Sequence, residues 1–260
     1  MKYWSLFLKL FHYSLARDML YPANFFAEVV LSFLHIGVYF FTVTVIFSQI
    51  SELAGWSKNE VMLLLGMMFF FRGIFLILFR NGLSEIADLI YLGNLDLILV
   101  KPISPIFLIG LFRIDFTAFP ETLYGLVLII LSLVNSGYVV VNFSLLMALL
   151  VGACGIIVIF SVYLSLMSIY FWTLESNIEY LFSSLRIVGQ YPLDIFSGLT
   201  KVFFTWFLPL SFLSYFPAKI ILGKITELEL VLIFIVTVIF ALLSGKVWSF
   251  GLRSYTSASS

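Results

Sequence analysis

The sequence predicts an all-α polytopic membrane protein with six transmembrane helices, and three observations carry that prediction. From Thr122 to Leu174 there is no Asp, Glu, Lys or Arg, and the polar patch Asn135-Ser136-Gly137 is the main interruption. A spanning helix needs about 20 apolar residues, so this stretch holds two spans joined by a short uncharged turn. Composition agrees: 62% of the residues are hydrophobic and only 11% charged, with mean hydropathy +1.14. Even buried soluble helices show a polar face and charged ends, which this stretch lacks. Further apolar runs of span length lie on both sides of it, bounded by charged or helix-breaking residues.

At the start of the chain, Trp4, Phe7, Leu8, Phe11 and Leu15 fall on one helical face, with Lys2, Ser5, Lys9 and His12 opposite. Residues 1–21 are therefore an amphipathic helix with a basic polar side, suited to an interface rather than to crossing. No short apolar core precedes a small-residue cleavage site, so the N-terminus is expected to be retained. Arg17-Asp18 and Pro22 separate this helix from a first span over Ala23–Ser48, and a short polar loop, 49–59, follows. The second span covers Glu60–Phe79 and ends on Arg80-Asn81-Gly82.

Residues 83–105 differ in character. Leu83, Ile86, Ala87 and Ile90 share a helical face, Ser84, Glu85 and Asp88 lie opposite, and Gly93-Asn94 reads as a helix stop. A structured loop longer than the usual helix connection is often functional. The third span lies within Phe116–Val134 and the fourth within Leu145–Phe171. Glu175, Glu179 and Arg186 punctuate the next apolar stretch, where a fifth span is placed at about Ile178–Gln190. Pro192, Pro209 and Pro217 break residues 191–226 into pieces too short for ordinary spans. Half-helices that dip into the membrane and return fit such pieces if neighbouring protein covers their broken backbone. The last span, Leu228–Phe250, leads to Arg253 and the tail Ser254–Ser260, and the whole of 1–260 reads as one transmembrane domain.

Lys and Arg near span ends set orientation. Lys2, Lys9, Arg17, Arg80, Lys101, Lys246 and Arg253 fall on one side, against Lys58, Lys201, Lys219 and Lys224 on the other. The richer side is cytoplasmic by this rule, which puts both termini inside.

Composition also excludes function classes. Formal net charge is zero, so no basic field points to nucleic acid. The two histidines, His12 and His35, do not form an H-E-x-x-H zinc motif, and Phe196-Ser197-Gly198 lacks the preceding glycine of an exposed nucleophile loop. Gly223-Lys224 and Gly245-Lys246 are followed by Ile225 and Val247 where a P-loop needs Ser or Thr, so the chain is expected not to hydrolyse ATP. The lone Cys154 cannot form an internal disulfide and reads as a small buried side chain.

Ionisable residues inside spans are costly, which makes Glu28 and Arg72 candidates for a functional intramembrane pair. Counted from the cytoplasmic end they lie at depths of about 8 and about 12 Å, close enough to meet. The alternative is that each snorkels separately to the interface. Arg113, Asp115 and Glu121 read as interfacial anchors at the entry to the third span, and the i, i+2 spacing of Arg113 and Asp115 does not make them face each other.

The order of these elements resembles the ABC-2-type permeases, the membrane subunits of type-2 ABC exporters, and especially a bacterial six-span branch. The resemblance rests on Gly93-Asn-Leu-Asp96, Lys101-Pro-Ile-Ser-Pro105, Gln190-Tyr-Pro-Leu-Asp-Ile-Phe196, Phe207-Leu-Pro-Leu210, Tyr215-Phe-Pro-Ala218 and Arg72-Gly73, and it covers nearly the whole chain. It implies an N-terminal elbow helix (1–21), a cytoplasmic coupling loop (83–105) and an external re-entrant region (191–226). It also implies a dimer, of two copies or of this chain with a related permease, bound to separate ATPase subunits that hold ATP and Mg²⁺. Coupling to the ATPase would fall to Glu85, Asp88, Tyr91 and Asp96, and the external gate to Pro192, Pro209 and Pro217. The implied activity is export by alternating access in a bacterial plasma membrane, with no cofactor bound by the chain itself. Two readings from other classes stand beside it: a membrane scaffold anchoring a soluble partner, whose function would survive a dead ATPase, and an ion-driven secondary transporter. The latter should show internal repeats and mid-membrane carboxylates, and neither is evident in the sequence.

Overall fold

A computed structural model describes residues 2–137, 142–173, 191–207 and 210–256. Five helices among them are long and apolar enough to cross a membrane: Pro22–Gln49, Lys58–Tyr91, Phe116–Ser136, Phe143–Phe171 and Glu227–Ser254. The fifth span expected at about 178–190 lies outside the described residues.

The amphipathic segment forms α1 (Lys2–Asp18). Pro22 occupies the first turn of α2 (Pro22–Gln49), where its missing N–H costs no helical bond. The loop after it closes as a small hairpin, β1 (Glu52–Leu53) against β2 (Trp56–Ser57). Its turn residues Ala54 and Gly55 have φ of 51° and 81°, the left-handed pair that a two-residue hairpin turn requires.

Helix α3 (Lys58–Phe75) starts at Ser57, whose hydroxyl accepts from the Glu60 N–H while the Glu60 carboxylate accepts from the Ser57 N–H. This reciprocal cap satisfies two otherwise unpaired donors at the helix start. The helical path then continues through a π turn at Leu76–Arg80 into α4 (Asn81–Ser84) and α5 (Ile86–Tyr91). The second span and the loop helix are thus one nearly continuous run, rather than parting at Phe79 as the sequence suggested. Gly93, at φ 69°, ends that run, and α6 (Asp96–Leu99) and α7 (Pro105–Gly110) follow. A 3₁₀ turn at Phe116–Ala118 leads into α8 (Phe119–Ser136), and α9 (Asn142–Met167) runs back. Beyond Tyr191 come short pieces, α10 (Gly198–Val202) and α11 (Tyr215–Ile221) among them, and then α12 (Glu227–Ser254).

Helix α3 is the centre of the bundle. Most of its residues from Glu60 to Phe75 are buried, whereas few of those in α2 and α12 are. It lies closest to α8, where a side chain on Gly66 would come within 2.9 Å of Ile129, one on Gly73 would strike Thr122, and one on Gly125 would strike the Phe70 backbone. Small residues at such a seam let two backbones approach, which gives helix packing in lipid its dispersion energy. Gly152 of α9 receives the Phe71 ring, and Tyr39 of α2 meets Phe69 edge-on with centroids 5.6 Å apart.

The bundle has two distinct ends. At one lie α1, α4 to α7, the turn before α8, and the last turn of α12, where Trp172 Nε1 donates to Ser254 Oγ at 3.1 Å. At the other lie the hairpin, the start of α3 and residues 191–207 and 210–229. The described chain leaves at Thr173 near the first end and resumes at Tyr191 near the second.

The seam predicts that Gly125→Leu drives apart α3 and α8 and lowers stability by about 1–3 kcal/mol, as overpacking does elsewhere. Gly37→Ala, which meets nothing within 4 Å, should not lower the unfolding midpoint in detergent, since alanine also suits a helix interior better than glycine.

Candidate functional site

Three clusters of polar side chains sit on this frame, one inside the bundle and one at each end.

The inner one is an ion pair. Arg72, 7% exposed, donates through Nε to Glu121, 8% exposed, and its guanidinium lies 5.5 Å from the Phe69 ring centroid. The expected Glu28–Arg72 pair does not form. The glycine seam draws α3 onto α8 and sets Arg72 beside the first turn of α8, where a carboxylate is also favoured by the helix N-terminus. Glu121, expected as an interfacial anchor, is instead the buried partner. Glu28 is exposed and lines an open cavity of about 370 Å³ with Arg17, Asn24, Asn81 and Asp115.

At the α1 end, bonds fasten α1 to the turn before α8. Arg17 Nη2 donates to Asp18 at 2.9 Å and to the Ile114 carbonyl at 3.2 Å, and Asp18 accepts from the Phe116 N–H at 3.2 Å. The Phe11 and Phe116 rings meet edge-on at 4.9 Å. Asp115 caps the turn through Thr117 and accepts from Asn81 Nδ2 at 2.9 Å. The four coupling candidates divide here. Glu85 is engaged by Arg113 within the chain, and Asp96 lies beside Tyr255, whose hydroxyl is pushed up by burial and by that carboxylate. Asp88 and Tyr91 face outward. Around them Tyr91 is 70% exposed, Leu97 64% and Val100 80%.

The opposite end is organised by Asp194, which the sequence reading passed over. Its carboxylate accepts from Trp56 Nε1 at 2.8 Å, Lys201 Nζ at 2.6 Å and the Tyr215 hydroxyl at 3.0 Å. Burial alone would raise its pKa, but the bonds from Lys201, Trp56 and Tyr215, with the Lys201 charge, hold it below the ordinary value. The Tyr215 hydroxyl is pushed far above its usual range by burial and then by Asp194, so it remains a donor. Lys224 Nζ donates to Glu60 at 2.6 Å, and Lys219 Nζ to Glu229 at 2.5 Å. Glu229 also completes a second capping box, with Thr226, at the start of α12. The signals were present as Ser57-Lys-Asn-Glu60 and Thr226-Glu-Leu-Glu229, the Ser/Thr-x-x-Glu pattern of a reciprocal cap. Pro192 is buried beside Asp194, and Pro217 lies in the first turn of α11, where a proline breaks no helical bond. Pro209 lies outside the described residues.

Among the described residues, no group of three His, Cys, Asp or Glu side chains converges on one point. The architecture is that of a helical integral membrane protein whose polar groups hold helices and loops together. A family model described as "ABC-2 family transporter protein" matches residues 33–259, and the chain belongs to that family. It is an ABC-2-type permease, a membrane transport component. No curated protein and no solved structure matches it.

The buried pair and the Asp194 cluster make separate predictions. Arg72→Leu leaves Glu121 buried and uncompensated and should cost about 3–5 kcal/mol. Adding Glu121→Leu should recover much of that loss in the unfolding midpoint, while Glu28→Gln should change it little. For Asp194 the folded pKa is depressed, so its contribution is complete above the ordinary value of 3.8 and is lost as pH falls through the folded value. Asp194→Asn should lower stability at neutral pH by about 1–3 kcal/mol and flatten the loss of stability expected of the parent below about pH 4.

Proposed function

We propose that this chain is the permease subunit of an ATP-driven exporter. It works as a dimer, with a second copy or a related permease, and separate ATPase subunits carry ATP and Mg²⁺. Closure of the ATPases on nucleotide is passed to the spans, which alternate between inward and outward access. The membrane is the bacterial plasma membrane with both termini cytoplasmic, and the chain itself catalyses no covalent chemistry.

One observation carries the reading. The segment that extends α3 past Arg80, with α6 after it, presents an outward surface of Asp88, Tyr91, Leu97 and Val100 at the α1 end of the bundle. Large apolar side chains exposed beside a charge at such a place mark a protein contact. Because α4 and α5 continue the central helix through the π turn at Leu76–Arg80, movement of this surface would be passed to α3. The coupling role therefore falls on Asp88 and Tyr91 more than on Glu85 and Asp96, which serve internal contacts.

Two further expectations belong to this proposal. The described chain departs at one end and resumes at the other, which supports a sixth crossing. The Phe212 carbonyl would touch a side chain placed on Gly155, at 2.7 Å, and Gly155 lies about 20 Å along α9 from its start. That depth supports a re-entrant path for the 191–226 region, with Pro192, Pro209 and Pro217 shaping the external gate, and α1 acting as the interfacial elbow.

The test is purification of the tagged chain from mild-detergent membranes with measurement of co-purifying ATPase activity. Parent protein should bring the ATPase with it, and Asp88→Lys combined with Leu97→Asp should lose it while remaining inserted and monodisperse. Parent protein free of ATPase, or a variant that keeps it, overturns the proposal.

A further inference from the structure

The lower half of α12 carries a feature that the coupling surface and the ion pairs leave unused. Leu242, Gly245, Lys246, Ser249, Phe250 and Arg253 recur at intervals of three and four residues and so lie on one face of the helix. With Ile106 of α7 across from them they line an open groove of about 660 Å³. The groove is apolar at its deep end, where Ala241 and Leu242 lie, and cationic toward the helix terminus. Gly245 leaves its floor open, since a side chain there would meet nothing within 4 Å. Ser249 turns its hydroxyl back to the Gly245 carbonyl at 2.7 Å.

Lys246 and Arg253 are both exposed, and among the described residues no carboxylate lines the groove. Arg253 sits in the last turn of α12, while Lys246 lies about 10 Å deeper along the axis. A lysine at that depth, between Leu242 and Phe250, is costly unless it reaches up to the headgroup level or meets an anion. The two cations, two turns apart on one face, thus converge on the level of lipid phosphates, with an apolar trough directly beneath.

We infer that this groove binds an anionic phospholipid, whose phosphate lies between Lys246 and Arg253 and whose acyl chain lies along Gly245 against Leu242 and Ile106. Charge complementarity selects the anion, and the apolar trough selects a lipid over a free phosphate. The inference needs the chain to be inserted in a membrane, but not that it couples to an ATPase.

Native mass spectrometry of the purified full-length chain tests it, with phosphatidylglycerol, phosphatidylcholine and inorganic phosphate titrated separately. Phosphatidylglycerol should be retained in preference to phosphatidylcholine, and inorganic phosphate should neither bind nor displace it. Lys246→Gln with Arg253→Gln should weaken phosphatidylglycerol binding about thirtyfold, from about fivefold per cation near a membrane surface. Gly245→Leu fills the trough without a clash and should also reduce binding, so the test stands even if the double variant folds poorly. Equal retention of the two lipids, displacement by inorganic phosphate, or unchanged binding in Gly245→Leu overturns the inference. So does a loss of oligomer in these variants at unchanged lipid retention, which would make the groove a contact between copies.

Discussion

A charge placed inside an apolar bundle must be neutralised by its own protein, and much of this structure follows from how Arg72 meets that demand. Its guanidinium reaches Glu121 only because α3 and α8 lie backbone to backbone along Gly66, Gly73 and Gly125. The close approach and the ion pair therefore depend on each other. Without the glycines the carboxylate would stand too far away, and without the pair the approach would bury two uncompensated charges. The desolvation of both ions offsets much of their attraction, so the pair fixes register and pairing more than it adds net stability.

The two ends of the bundle use polar groups differently. At the hairpin end, each Glu that caps a helix start also receives a lysine: Glu60 with Lys224 and Glu229 with Lys219. Asp194 joins the hairpin, through Trp56, to α11, through Tyr215. Loops far apart in sequence are thereby tied to the starts of α3 and α12. At the α1 end the bonds instead hold α1 and α4 against the turn before α8, while the outer side of α5 and α6 keeps apolar groups exposed. One end is closed on itself, and the other presents a surface.

The spans were legible because the signal is local: runs of about 20 apolar residues between charges or prolines need no knowledge of neighbours. The start of α2 at Pro22 and the helix stop at Gly93 follow from backbone chemistry at single residues and were equally readable. The partner of Arg72 was not. Depth along two antiparallel helices placed Glu28 near it, but depth says nothing about which neighbour occupies which side, and that choice lies in the glycine spacing of α3 and α8. The same limit explains Asp194, whose donors are 138, 7 and 21 residues away in sequence. The capping boxes are a different case, since both patterns are contiguous in sequence and need no tertiary contact to be recognised.

Under alternating access these constraints divide the bundle into parts that move and a part that does not. A shift of α3 against α8 by one helical turn, about 5.4 Å, would part Arg72 from Glu121 in an apolar setting. It would also drive Phe70 and Ile129 into backbone that tolerates only glycine. Such a slide is disfavoured by both terms at once, so α3 and α8 travel as a unit. Helix α2 buries Ile36 and Val43 alone among its described residues, and α12 likewise turns most of its surface away from the chain. Little of these outer helices is buried within the described chain, whereas α3 runs buried from the α5–α6 end of the bundle toward the Asp194 cluster. The π turn at Leu76–Arg80 lies between the buried pair and that surface. A π turn there departs from regular helical bonding, so the tightly packed part of α3 ends before the α5–α6 surface begins.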